Sequence, residues 1–198
     1  MKNLLLLFLC AGLVACSGGG KVPEPTYYLL RADVQLPVGQ QSADVSIGLG
    51  RVAIADYLGQ NGVVVATGAG QVRAARQHLW AEPLSGSVRL YLRDSIASRS
   101  GQWISADSAQ RLSWQYRIDV RIDEWHGSLD GQARLIAEWL IISVADGSTL
   151  ATHRFERSGS LQADGYDALV AEQTRLLDAL AADIAANLPR QGSQAATF

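Results

Sequence analysis

The sequence predicts an α+β fold: a single domain in which a mostly antiparallel β-sheet is packed by two amphipathic helices. Three observations carry this. The stretch WQYRIDVRID, from Trp114, alternates apolar with charged or polar side chains, the period of a strand with one buried face. Two other stretches, 82–99 and 166–188, repeat apolar residues every three or four positions, the spacing of one helix face. The segments run strands, helix, strands, helix, so the strands are grouped and not interleaved one by one with helices as in a parallel α/β fold.

The elements follow in order. TYYLL, from Thr26, is a short β-type run, and VSIGLGRV, from Val45, alternates as a half-buried strand does. Asn61-Gly62 signals a turn; Val63-Val64-Val65, then Gly68-Ala69-Gly70, then Gln71-Val72-Arg73 read as a hairpin of two short strands. Glu82-Pro83 opens the first helix, since proline suits a first helical turn. Leu84, Val88, Tyr91, Leu92, Ser95 and Ile96 form its inner stripe, and Gly101 closes it. In the strand from Trp114, the residues Trp114, Tyr116, Ile118, Val120 and Ile122 share one face. Arg117, Asp119, Arg121 and Asp123 share the other, which meets solvent or a partner. Gly127 to Gly131 loops back into a strand over 133–144, which turns apolar on both sides and so reads as central and doubly covered. Asp146-Gly147 turns the chain into a strand over 149–159. The last helix carries Leu169, Val170, Leu176, Leu177, Leu180, Ile184 and Leu188, and Pro189 ends it.

The N-terminus is chemically distinctive. After Met1-Lys2-Asn3 only about a dozen residues are continuously apolar, short of the roughly 20 that span a bilayer as a helix. A positive start, a short apolar centre and small residues before a cut describe a secretory leader. Leu13-Val14-Ala15-Cys16 resembles the lipobox of bacterial lipoproteins, in which the cysteine sulfur is joined to diacylglycerol, the chain is cut before it and the new amino terminus is acylated. That reading gives a leader over 1–15, lipidated Cys16 with a Gly- and Pro-rich tether over 16–25, a folded domain over 26–189 and a loose tail over 190–198. The other cysteine, Cys10, leaves with the leader, so the mature domain has no disulfide and relies on an ordinary core. Each buried acyl methylene contributes about 0.8 kcal/mol, so several chains together anchor almost permanently.

Composition narrows the function. The 198 residues are 48% apolar and 18% charged, with net charge −2, and losing Lys2 with the leader makes the mature chain one unit more acidic. Nothing here is the basic footprint of a nucleic-acid binder. His78, His126 and His153 lie far apart without metal-ligand spacing, His126 sitting near Glu124 and Asp123 at a strand end. No serine lies in G-x-S-x-G. Gly48-Leu49-Gly50 and Gly68-Ala69-Gly70 lack a third glycine or GK[ST], and read as bends or bulges, so no cofactor is called for. Among the five tryptophans, Trp114 and Trp139 fall on core faces, whereas Trp80, Trp103 and Trp125 flank elements and are candidate core edges or contact surfaces. Val63, Val64 and Val65 read as a sheet strand, or as an exposed apolar hairpin that meets lipid or a partner.

The lipobox, Tyr27-Tyr28-Leu29-Leu30, Val52-Ala53-Ile54-Ala55-Asp56-Tyr57-Leu58 and His78-Leu79-Trp80-Ala81-Glu82-Pro83-Leu84 come in an order that resembles the ABC-type transport auxiliary lipoproteins, the PqiC-like group. One departure is Gly59-Gln60-Asn61-Gly62, where the family often has a charged or Pro-containing stretch. The resemblance implies an α+β, non-enzymatic component anchored by Cys16 to the outer membrane and facing the periplasm. Its implied partners are an MCE-domain protein that bridges the periplasm and an ABC permease and ATPase at the inner membrane. Ser17 after the cysteine suits outer-membrane sorting, and self-association is implied because some relatives form rings. A reading from a different class is a lipid or small-ligand carrier with a pocket between helices and sheet.

Overall fold

In the computed structural model, which describes residues 23–35, 46–107, 109 and 113–189, eight strands form one sheet. They are β1 (Thr26–Tyr28), β2 (Ile47–Ile54), β3 (Gly62–Gly68), β4 (Gln71–Trp80), β5 (Ile104–Ser105), β6 (Tyr116–Ser128), β7 (Gln132–Ser143) and β8 (Thr149–Ser160). Two helices, α1 (Leu84–Ser100) and α2 (Tyr166–Ala186), complete the domain, with a short 3-10 turn at Asp56–Gly59. Cys16, the leader, most of the tether and the tail fall outside the described residues.

Strand β6 organises the sheet. Along one edge it pairs antiparallel with β7 from Tyr116↔Ser143 to Gly127↔Ala133, and β7 pairs antiparallel with β8. The other edge is shared end to end. β2 lies parallel to its first half, Ile47 opposite Tyr116, and β3 lies parallel to its last residues, Val65 opposite Gly127. Beyond β2 comes β5, and beyond β3 come β4, antiparallel, and β1, parallel to β4. The long ladders are therefore antiparallel, as the alternating pattern predicts, while the shorter parallel pairings make the sheet mixed.

Both helices cover one face. The six-residue stripe predicted for α1 is buried in full, and Leu169, Leu176, Leu177, Leu180 and Ile184 of α2 join it over Leu49, Ile118, Val120, Ile122, Leu135 and Phe155. Burying each such side chain contributes roughly 1.5–3 kcal/mol against the ordering entropy of the chain. Pro83 stands at the start of α1, and Gly101 ends it with φ 69°, a left-handed conformation that glycine adopts without steric penalty. Arg99 on α1 reaches Asp178 on α2 at 3.3 Å.

Several expectations are corrected. The strand expected as a short run at Gln71-Val72-Arg73 continues as β4 to Trp80, just before α1, and its end is held by β1 through Thr26↔His78 and Tyr28↔Trp80. That pairing is tertiary and leaves no local pattern. A register shift between Ile122 and Glu124 carries β6 on to Ser128, so Trp125 lies within the strand and Gly127 and Ser128 are not loop. Trp114 lies before β6, on the opposite face from Ile118: a Cβ on Gly48 or Gly50 would overlap Trp114 or Asp119, which puts both glycines and Trp114 on the helix-free side. β7 is central, but among the described residues no helix covers its second face; Ile136 and Ile142 are buried there among long charged side chains of the flanking strands. The two G-x-G stretches each sit at a register shift of their strand.

Candidate docking surface

The alternation in β6, β7 and β8 puts a charged layer on the face that the helices leave open. Arg117 pairs with Asp119 at 3.1 Å, and Arg121 with Asp123 at 2.9 Å and across to Glu138 at 3.8 Å. Arg134 bridges Glu124 at 3.2 Å and Glu156 at 2.8 Å, and Arg154 also reaches Glu156 at 3.3 Å. Signs alternate along and across the strands, so the layer neutralises itself. The side chains are largely solvated, and each pair adds only about 0–1 kcal/mol to stability. They are thus free to exchange partners at little cost. Arg51, Ala53, Asp119, Arg121, Glu138 and Leu140 line a hollow of about 410 Å³ at the centre of this face.

A second constellation ties the start of the domain to α2. The Tyr28 hydroxyl donates to Asp167 Oδ1 at 2.6 Å. Having one proton, it accepts from His78 Nδ1 at 2.9 Å, which assigns the proton of that ring to Nδ1. The His78 ring stacks on Tyr166 at 4.2 Å, and Tyr28 meets Trp80 edge-on at 6.3 Å. Trp80 in turn stacks on Trp125 at 5.5 Å. Burial first, then the hydrogen bond and charge of Asp167, push the Tyr28 phenol above its ordinary range, so it stays protonated and acts as a clamp. At Trp125, Nε1 donates to the Gln173 carbonyl at 3.0 Å while Gln173 Nε2 donates back to the Trp125 carbonyl at 3.1 Å.

The residues expected as contacts separate sharply. Val63, Val64 and Val65 are core: β3 is flanked by β4 and β6, and the three belong to the main apolar cluster. Trp80 and Trp125 are core for the same reason, so of the two readings offered for these five the strand or core reading holds and the contact surface does not. Trp103 alone among them is open, 45% exposed, and with Leu90, Arg93 and Ala97 it lines a hollow along α1. Trp139 is buried, its Nε1 donating to Asp183 at 3.0 Å. Cys16 lies outside the described residues.

His78 and His153 stack on Tyr166 and Trp139, and the His126 ring lies tilted against Tyr57 with centroids 6.0 Å apart. Among the described residues no group of three or more His, Cys, Asp or Glu could hold a metal, and no helix is long and apolar enough to cross a membrane. Sequence reasoning missed the exposed apolar residues Leu129, Val72, Tyr27, Leu29 and Leu150. Leu129 had a readable signal, because a leucine between Ser128 and Asp130-Gly131 in a turn has no core to enter.

A one-layer helical cover on a mixed sheet that leaves a charged face open defines an α+β domain. The model of the ABC-type transport auxiliary lipoprotein component family matches residues 27–185, and the chain belongs to that family. It is 29% identical over 197 residues to the intermembrane transport lipoprotein PqiC of Escherichia coli strain K12, covering 96% of this chain and 99% of that one, and equally similar to PqiC of Shigella flexneri. Among solved structures, an uncharacterized protein of 26% identity aligns with TM-score 0.69 over 84% of this chain and all of its own. A Xanthomonas campestris protein of 13% identity shares the fold, with TM-score 0.63 over 80% of this chain and 92% of its own.

Proposed function

We infer that this auxiliary lipoprotein is a non-enzymatic docking subunit of an intermembrane lipid or solute transport system, held at the periplasmic face of the outer membrane by acyl chains on Cys16. The observation that carries the reading is the family match across the whole domain, joined to similarity with PqiC along nearly the full length of both chains. The geometry supports it: two helices close one face of the sheet, and the open face offers paired charges that a partner of matching pattern can re-pair. The partner is the MCE-domain protein of the system, which links the lipoprotein to an inner-membrane permease and ATPase.

The test is co-isolation. Tagged lipoprotein extracted in mild detergent brings down the MCE-domain protein together with permease and ATPase; recovery of the lipoprotein alone, with all components expressed, counts against the docking role. Native mass spectrometry of the same extract separates this reading from a carrier, because a stoichiometric bound lipid favours the carrier. Cys16→Ser leaves the fold intact and moves the protein into the soluble periplasmic fraction, whereas a variant that still sediments with membranes refutes the anchor.

A further inference from the structure

Two turns and the direction from which the chain enters the domain converge on one end of the sheet. Because β3 and β6 run parallel there, with Val65 opposite Gly127 and Ala66 opposite Ser128, the turns that follow them lie side by side. Gly70 and Gly131 make these turns tight, with φ of 68° and 75°. Their apolar neighbours are left outside: Leu129 is 69% exposed and Val72 43%. The Leu161 amide donates to the Gly131 carbonyl at 2.9 Å, and Leu161 joins Val65, Leu129 and Leu169 around a hollow of about 270 Å³.

The anchor points the same way. β1 is parallel to β4, with Thr26 opposite His78, and β4 begins at the end where the turns lie. The chain therefore enters β1 from the side of the turns. From His78 back to Val72 is roughly 20 Å at about 3.3 Å per residue. The stretch from Cys16 to Thr26 reaches at most roughly 35 Å when extended. Cys16 and the two turns can thus lie in one plane.

We propose that this end of the domain is a second membrane contact, in which Leu129 and Val72 enter the interfacial layer of the same bilayer that holds the acyl chains; the proposal rests on the reading of Cys16 as lipidated. Exposed Arg73 and Arg76 on β4 stand at headgroup level, while Asp130 and Asp164 on the neighbouring turns balance them. Apolar insertion, and not selection of anionic lipid, therefore provides the contact.

The test couples the mature chain 16–198 through its one thiol, Cys16, to a maleimide-headgroup lipid in phosphatidylethanolamine and phosphatidylglycerol vesicles. The sulfur adds across the maleimide double bond and its proton passes to the adjacent carbon, so nothing is released. Hydrogen exchange is then followed at residues 69–73 and 129–132. Exchange at both turns slows at least tenfold on vesicles; the double variant Val72→Ser, Leu129→Ser loses the slowing while amides of α2 stay protected, which reports an intact fold. Leu150→Ser, at the other end of β8, changes nothing. Unchanged exchange at the turns of coupled protein overturns the proposal, as does equal slowing in concentrated vesicle-free protein, which would assign the turns to protein contacts. Chemical coupling bypasses cellular lipidation, so failure here is distinct from failure of the Cys16→Ser fractionation.

Discussion

Trp125 is where the start of the domain, the sheet and α2 meet, and replacing it tests whether that joint holds the fold. Its side chain is fully buried and its ring lies 5.5 Å from Trp80. Truncating a core tryptophan to alanine costs about 3–5 kcal/mol in lost transfer energy and cavity. The lost hydrogen bond from Nε1 adds about 1 kcal/mol and no more, because the Gln173 carbonyl sits within α2 and keeps its helical partner four residues on. Trp125→Ala therefore loses about 4–6 kcal/mol, a large share of the about 5–15 kcal/mol that stabilises a domain. Urea unfolding followed by far-ultraviolet circular dichroism measures it, with Trp103→Ala, at an exposed site, staying within about 0.5 kcal/mol of the parent. A Trp125→Ala variant within about 1 kcal/mol of the parent at an unchanged slope would refute the packing argument.

The remaining predictions concern a cap and three phenols. Gly101→Ala forces a Cβ into the left-handed end of α1 and costs about 1 kcal/mol, seen as a melting point lower by about 2–4 °C. Tyr28, Tyr57 and Tyr91 are all held above the ordinary phenol range, by burial first and then by Asp167, Glu124 and Asp178 respectively, with Tyr57 pushed up to about 12. Because the fold binds these protons more tightly than the unfolded chain, their contribution is complete below pH about 10 and fades as pH rises toward about 12. Urea midpoints at pH 9 and 11 measure the fall, and Tyr57→Phe makes it shallower.

The parts of the fold that could be read in advance are those fixed by local periodicity. Both helix stripes were legible because a 3.6-residue period over five or six turns has few alternatives, and Pro83 and Gly101 bracket α1 for purely local steric reasons. The partition of β6 into Ile118, Val120 and Ile122 against Arg117, Asp119 and Arg121 was legible for the same reason. What could not be read depends on neighbours distant in sequence. β4 runs on to Trp80 because β1 pairs with it, and Trp125 turns inward because a register shift re-phases β6 after Ile122. Trp114 is buried by Gly48, a residue whose only signal is the side chain it lacks. Three adjacent valines read first as a sheet strand and second as an exposed hairpin, and β3's two neighbours decide for the strand and the core. The charged face was visible as a pattern, but its cross-strand pairs, such as Arg121 with Glu138 and Arg134 with Glu156, follow from register.

The central claim, that the domain is a docking subunit, is met most directly by measuring binding between the mature chain and the periplasmic part of the MCE-domain protein proposed as its partner, by interferometry at two salt concentrations. The account predicts saturable binding that weakens with salt, and that falls at least tenfold when Arg121→Glu and Arg134→Glu reverse charge on the open face of an otherwise stable domain. Absence of binding at high concentration, with lipidated protein in detergent also silent, would contradict it.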